Sequence, residues 1–181
     1  NMKLYKSKKL LNIDNNAKTI KGQKYKYMTA ILYLAPARES GFNVCAMASI
    51  GCKASCLNKA GRGQMGSVQL GRINKTKWYF LERESFLNQL RIEIKRHILR
   101  GKKKGFKPAI RLNGTSDLPF ERYKLENGLN LMENNPNVQF IDYTKISNRL
   151  DKKNKIPKNY SLTYSQAENN LDNVKKILKT K

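Results

Sequence analysis

The chain has 181 residues and a formal net charge of +24, from 37 lysines and arginines against 13 aspartates and glutamates. This length is sufficient for one domain with a hydrophobic core. The sequence has no apolar run of the roughly 18–20 residues that cross a membrane, and the residues after Met2 lack the apolar stretch of a signal peptide. We therefore expect a cytoplasmic protein with no membrane partner, made of a basic N-terminal arm at 1–17 and one α/β domain at 18–181.

The excess of positive charge is spread along the chain and is not gathered in one tail. A field of this size favours polyanions, because phosphate neutralisation dominates non-specific binding to nucleic acid. The charge therefore predicts DNA or RNA as a partner. The alternative is a lysine-rich surface that only reflects the codon usage of an AT-rich genome. The oligomeric state stays open.

Hydrophobic patterning predicts alternating strands and helices after the arm. Residues 18–27 are typical of a short hairpin with a turn at Lys21-Gly22, and the apolar run 28–34 is typical of a strand buried on both faces. Further strands are predicted at 109–112, 138–141 and 159–163, and helices at 68–80, 83–100, 120–133 and 146–150. Ser165 and Glu168 form the pattern of a capping box that opens a last helix.

This order of elements predicts parallel (β/α) units with right-handed crossovers. We expect a partial or half-barrel with an N-terminal β-hairpin, and an open parallel sheet is the alternative. In both architectures, ligands bind at the carboxyl ends of the strands. The polar segments that follow the predicted parallel strands should therefore meet at one rim: 35–63, 113–117, 142–145 and 164–165.

The segment 35–63 holds all the cysteines, in the spacing Cys45-x6-Cys52-x3-Cys56. An odd number of thiols excludes a complete set of disulfides, and the absence of an export signal favours metal or catalytic roles. These thiols could bind an iron–sulfur cluster with one iron left open, or zinc with a fourth ligand that is not cysteine. Free structural thiols, or one disulfide and one free thiol, are the alternatives. His97 lies mid-helix among lysines and arginines, and we expect it to be solvated rather than a ligand.

The strand exits also supply candidates for catalysis and ligand binding. The catalytic candidates are Asp117, Asp142 and Lys145, and the ligand-binding candidates are Asn113, Thr115, Ser116, Tyr143, Arg62 and Ser165. Asp142 and Lys145 could form a general acid–base pair or a ligand clamp, or only a local salt bridge. Asp117 and Asp142 could instead share a divalent cation, as in a nuclease.

Simpler interpretations exist for several of these residues. Asn113 and Asp117 could merely cap a turn and a helix. Tyr143 could stack on a nucleobase or simply pack. Gly61-Arg62-Gly63 could bring backbone amides close to a phosphate, but a plain turn explains it equally well.

A series of motifs runs in order along the chain: Tyr33-Leu34-Ala35-Pro36-Ala37, Ser40-Gly41, Asn43-Val44-Cys45, Gly51-Cys52, Cys56-Leu57, Gly61-Arg62-Gly63, Arg111-Leu112-Asn113-Gly114-Thr115-Ser116-Asp117, Asp142-Tyr143-Thr144-Lys145 and Asn159-Tyr160. Together they resemble the phage and plasmid family named for mycobacteriophage gene product 88, over roughly residues 18–178. The resemblance implies a protein of the bacterial host cytoplasm and brings no assigned function with it.

A looser similarity is to radical S-adenosylmethionine enzymes. These also place three cysteines on the loop after the first barrel strand and leave one cluster iron open for the cosubstrate. Their usual spacing is Cys-x3-Cys-x2-Cys, whereas the gaps in this chain are wider. The similarity implies an iron–sulfur cluster with S-adenosylmethionine, by analogy of fold.

Two hypotheses of function follow. The first is an enzyme with a metal or iron–sulfur site at the carboxyl ends of parallel strands, acting on or near nucleic acid. The alternative is a non-catalytic nucleic-acid-binding protein with structural cysteines.

Overall fold

The computed structural model describes residues 6–13, 24–151 and 153–179. One sheet contains five strands in the order β1 to β5: β1 (Leu11–Ile13), β2 (Tyr27–Leu32), β3 (Lys107–Arg111), β4 (Gln139–Thr144) and β5 (Tyr160–Tyr164). β1 is antiparallel to β2, and β2 to β5 are parallel. The predicted α/β fold of parallel units with an N-terminal hairpin is therefore confirmed. Spatial order follows chain order, as expected for successive (β/α) units.

Helices connect and flank these strands. The α-helices are α1 (Ile50–Ala54), α2 (Gly66–Leu81), α3 (Arg83–Lys103) and α4 (Leu171–Leu178). Short 3-10 turns occupy Leu57–Lys59, Gly61–Gln64, Phe120–Arg122 and Ser147–Leu150. Within the described ranges, no helix is long and apolar enough to cross a membrane.

The strand that pairs with β2 lies upstream of the predicted hairpin. Leu11 is opposite Leu32, and Ile13 is opposite Ala30. The predicted turn at Lys21-Gly22 lies outside the described residues. Two buried side chains from the helices fix this strand: Glu93 accepts the Leu11 amide at 2.8 Å, and Lys75 Nζ donates to the Leu10 carbonyl at 3.0 Å.

Helix α3 packs one stripe of side chains on the sheet. Phe86, Leu90, Ile94 and His97 are buried at intervals of three and four residues. The prediction of a solvated His97 is wrong, because the ring is 1% exposed and its Nε2 lies 2.9 Å from the Met28 carbonyl and 3.2 Å from the Ala109 carbonyl. Both partners are acceptors, so Nε2 carries the proton. His97 thereby ties α3 to β2 and β3.

The helix predicted at 120–133 is wrong beyond the turn Phe120–Arg122. Side chains compete for the backbone there: Asn130 Oδ1 accepts the Glu133 amide at 2.9 Å, and Glu133 Oε2 accepts the Asn130 amide at 2.7 Å. Such local bonds replace those of a helix. Gly128 adds a left-handed backbone conformation with φ of +75°.

The capping box predicted at Ser165 and Glu168 is also wrong. Helix α4 begins at Leu171, and Asn170 is the residue before it. Glu168 instead accepts the Gly51 amide at 2.9 Å, at the start of α1. The segment after β5 is therefore joined to the cysteine-containing segment.

The two faces of the sheet differ in what covers them. On the closed face, side chains from the parallel strands pack against Tyr79 of α2 and against Phe86 and Leu90 of α3. The opposite side, here called the open face, presents Lys107, Arg111, Gln139, Ile141, Tyr143, Ser161 and Thr163, whereas Ile31 and Ala109 on the same side are buried. Alternation along each strand assigns these positions to one side. On the open face, Ile141 is 37% exposed and Tyr143 is 49% exposed.

Candidate functional site

A cavity of about 400 Å³, here called the strand-end pocket, lies where the parallel strands end. Its polar lining is formed by Cys45, Cys52, Ser55, Cys56, Arg111, Asn113, Thr115, Ser116, Asp117, Tyr143, Thr144, Lys145 and Ser165. The structure therefore brings the thiols together with most of the predicted site residues. Arg62 and Asp142 are not part of this lining. A larger and more open depression, of about 660 Å³, lies beside Trp78 and contains none of the predicted site residues.

Backbone and side-chain bonds position the cysteine segment over the strand ends. The Asp117 amide donates to the Val44 carbonyl at 2.8 Å, and Cys45 Sγ donates to the Thr115 carbonyl at 3.6 Å. Ser49 caps α1 by accepting the Cys52 amide at 3.1 Å. These bonds fix the loop after β2, which carries Cys45 and Cys52, and attach it to the loop after β3.

The three thiols are free and half-buried. Burial raises the pKa of Cys45 to about 11, and nearby Cys56 and Asp117 add to the effect. Without a bound cation, Cys45 is therefore a neutral thiol at physiological pH. Arg72, which the sequence reasoning missed, lies close enough to interact electrostatically with Cys56 and stacks 4.8 Å from the Tyr33 ring centroid.

Among the residues that the structure describes, no group of three His, Cys, Asp or Glu side chains surrounds a point closely enough to hold one metal ion. In a zinc site each sulfur lies about 2.3 Å from a single ion. In an iron–sulfur cluster, by contrast, the thiolates bind different irons and stand further apart. The described side chains therefore form no site for a single metal ion.

Asp142 lies on the closed face of the sheet and is completely buried. Its Oδ1 accepts the Asn113 amide at 2.9 Å, and its Oδ2 accepts the Tyr160 hydroxyl at 3.1 Å. Burial raises the Asp142 pKa to about 6, although the Asn113 amide and nearby Arg111 oppose that change. Lys145 Nζ lies 2.9 Å from Ser165 Oγ instead, and within the described chain no ion pair joins it to Asp142.

Asp117 is held by a buried arginine that the sequence reasoning also missed. Arg149 Nη1 lies 2.6 Å from Asp117 Oδ1, and the same guanidinium makes two bonds of 2.9 Å to Glu121. Burial alone would lower the Arg149 pKa, but the hydrogen bond with Glu121 and the surrounding negative groups raise it above its ordinary value. Asp117 Oδ2 accepts the Lys145 amide at 2.8 Å. A divalent cation shared by Asp117 and Asp142 would have to displace these partners.

Asn113 organises the loop after β3. Its Oδ1 accepts the Ser116 hydroxyl and the Leu118 amide, both at 2.8 Å. This is the turn-capping role that was the simpler interpretation. Gly114 is required by close approach, since a Cβ there would lie 2.7 Å from Ile31 Cγ2 and 2.8 Å from the Leu32 carbonyl.

Arg62 lies on the 3-10 turn Gly61–Gln64, outside the pocket lining. Gly63 in that turn packs against backbone, and a Cβ would lie 2.7 Å from the Leu57 carbonyl oxygen and 2.8 Å from that of Asn58. The geometry explains Gly63 by packing and favours the plain-turn interpretation.

Arg111 and Tyr143 contact each other in the lining of the pocket. The Arg111 guanidinium lies 5.2 Å from the Tyr143 ring centroid, and its Nε lies 3.9 Å from Asp142 Oδ1. Arg111 is the last residue of β3, and its place on the open face follows from alternation once the strand is known. The alternation of side chains along β3 could therefore have assigned Arg111 to this face from the sequence alone.

Fold and pocket together define an α/β protein with a thiol-lined site at the ends of its parallel strands. The family model described as gene product 88 matches residues 5–181, and the chain belongs to this family of phage proteins of unknown function. A comparison with curated proteins found no match, and a comparison with solved structures found none. The looser similarity to radical S-adenosylmethionine enzymes has no support from these comparisons.

Proposed function

We propose that the protein holds an iron–sulfur cluster on Cys45, Cys52 and Cys56 and acts on or near nucleic acid. The observation that carries this proposal is the convergence of three free thiols with Arg111 and Lys145 in one pocket. Thiolates are the ligands that clusters require. Three of them leave one iron without a protein ligand. That iron would supply Lewis-acid or electron-transfer chemistry beside Arg111 and Lys145.

The positive charges around the pocket are suited to binding an iron–sulfur cluster. A bound cluster deprotonates its cysteines, and the resulting negative charge needs compensation. Arg111, Lys145 and Arg72 place cations at or near the thiols. The same cations, with the net charge of +24, favour phosphate-bearing partners.

The direct test is anaerobic purification followed by an absorption spectrum and analysis of iron, sulfide and zinc. We expect iron and sulfide with broad visible absorption, which is lost in Cys45→Ser, Cys52→Ser and Cys56→Ser. Ser116→Ala is the matched control, because it removes a hydroxyl from the same pocket without removing a thiol. Protein that is colourless and free of iron would contradict the proposal, and zinc alone would replace the cluster with a single ion.

A second candidate is a nucleic-acid-binding protein whose cysteines are structural. The bond from the Cys45 thiol to the Thr115 carbonyl favours it, because it satisfies a protonated thiol. It predicts salt-sensitive binding of DNA or RNA that survives replacement of all three cysteines by serine. Loss of that binding together with the metal would favour the cluster.

A further inference from the structure

The cluster proposal uses only Arg111 of the open face. Parallel sheets are normally covered on both sides. Here Ile141 and Tyr143 of β4 are exposed, as are their β5 neighbours Ser161 and Thr163. A partner that covered Ile141 and Tyr143 would complete the second side of the sheet.

The charge of the open face narrows the choice of partner. Strand β3 places Lys107 on the same side as Arg111, and the positions of β2, β4 and β5 on that side carry no carboxylate. Lys145 adds a further cation just beyond β4, in the pocket lining. Two copies of this chain would oppose like charges if they met through this face. A polyanion is favoured instead.

The side chains of the open face suit an unstacked nucleobase. About half of the Tyr143 side chain is exposed, and the Arg111 guanidinium supports its ring. Thr163 lies opposite Tyr143 on β5 and offers a hydroxyl, and base edges are read by groups of this kind. Bases inside a duplex are already stacked on each other, so an aromatic ring on a sheet favours a single strand.

We infer that the open face binds single-stranded nucleic acid, with one base stacked on Tyr143, its neighbouring phosphates on Arg111 and Lys145, and a phosphate further along the strand on Lys107. This inference rests on the proposed action at nucleic acid and adds the type of strand and the contact residue. It requires no cluster.

The test is fluorescence anisotropy with a labelled single-stranded oligonucleotide, with the matching duplex as competitor. Tyr143→Ala removes the stacking ring, and we expect binding about 5- to 150-fold weaker, the range given by one lost base stack. Tyr143→Phe keeps the ring and should bind like the parent. The control Tyr25→Ala removes a tyrosine that is 72% exposed and lies before β2.

The outcomes separate the inference from the proposed function. Weaker binding by Tyr143→Ala alone, with Tyr143→Phe and Tyr25→Ala unchanged and a circular dichroism spectrum and melting temperature of Tyr143→Ala equal to those of the parent, supports a stacking role. Equal binding by Tyr143→Ala and the parent overturns the inference but leaves the proposed function intact. A duplex that competes as well as the single strand also overturns it. If neither strand type binds at low salt, the proposed action at nucleic acid fails too, whereas the cluster is judged separately by absorption.

Discussion

Asp142 and Tyr143 are neighbours in the chain but belong to different environments on the two sides of the sheet. Asp142 is completely buried and accepts bonds from Asn113 and Tyr160, whereas Tyr143 is 49% exposed and lines the strand-end pocket. The polar groups of the strand ends therefore divide by face. Asp142 holds the loop after β3, whereas Tyr143 is available to a ligand.

The closed side requires this arrangement on energetic grounds. A buried charge is tolerated only when it is paired and its hydrogen bonds are satisfied. Arg149 meets this condition with Asp117, Glu121 and the Tyr160 hydroxyl, and Tyr160 in turn donates to Asp142. Asp117 and Asp142, predicted as catalytic, are thus better suited to position Asn113 and Lys145 than to react.

The largest effect is expected from Arg149→Met. It removes the cation that Asp117 and Glu121 share, whose side chains are only 12% and 7% exposed. Breaking a buried pair from one side costs about 3–5 kcal/mol. Urea unfolding should show a loss of free energy of unfolding of this size, while Arg100→Met, on the exposed end of α3, should stay within about 0.5 kcal/mol. Equal stability of Arg149→Met and the parent would show that the closed side does not depend on this cation.

The second effect is a pH dependence from Asp142. Burial raises its pKa from 3.8 to about 6, so the folded protein binds more protons than the unfolded chain between these values. The contribution of Asp142 to stability is therefore complete below pH 3.8 and is lost as the pH rises through 6, by up to about 3 kcal/mol. Asp142→Asn should lack this slope.

The measurement is urea unfolding of the parent and of Asp142→Asn across that pH range. All other groups titrate in both proteins, so the difference between the two curves isolates Asp142. A difference that stays constant with pH would mean that the carboxylate has its ordinary pKa despite its burial.

The positions of β2, β3 and β4 in the chain could be predicted because these strands are apolar runs. The strands β2, β3 and β4 coincide with the predicted ones to within a few residues, and the stripe on α3 was visible from Phe86 to Ile94. Strand β1 was not predicted. Its three residues show little pattern, and its place depends on Glu93 and Lys75, which lie far along the chain.

The strand-end pocket could be predicted for a topological reason, since parallel strands direct their exits to one rim. The roles within it could not. Whether Asp117 and Asp142 face a ligand depends on Arg149, which lies in a short 3-10 turn with no motif around it. His97 was misjudged from its charged sequence neighbours, although its spacing from Ile94 and Leu90 continues the buried stripe.

The third prediction is a loss of stability at Gly114, which lies in the loop after β3 and approaches β2 closely. Gly114→Ala should destabilise the protein by about 1–3 kcal/mol, because the new Cβ would meet Ile31 and the rigid Leu32 carbonyl. Gly71→Ala is the control: nothing lies within 4 Å of a Cβ there, and alanine favours the helix by up to about 1 kcal/mol. Thermal unfolding should therefore show changes of opposite sign. A destabilised Gly71→Ala, or a neutral Gly114→Ala, would contradict the packing described for these two positions.

The last prediction makes the same substitution on each side of the sheet. Tyr160→Phe removes a buried hydroxyl that accepts from Arg149 at 3.0 Å and donates to Asp142 at 3.1 Å, which should cost about 1–3 kcal/mol. Tyr143→Phe removes a hydroxyl from an exposed ring, where changes stay within about 0.5 kcal/mol. Urea unfolding of the two variants compares the sides directly. If Tyr143→Phe proved the more damaging, the open side would be part of the folded core, and a base could stack on Tyr143 only after that core had opened.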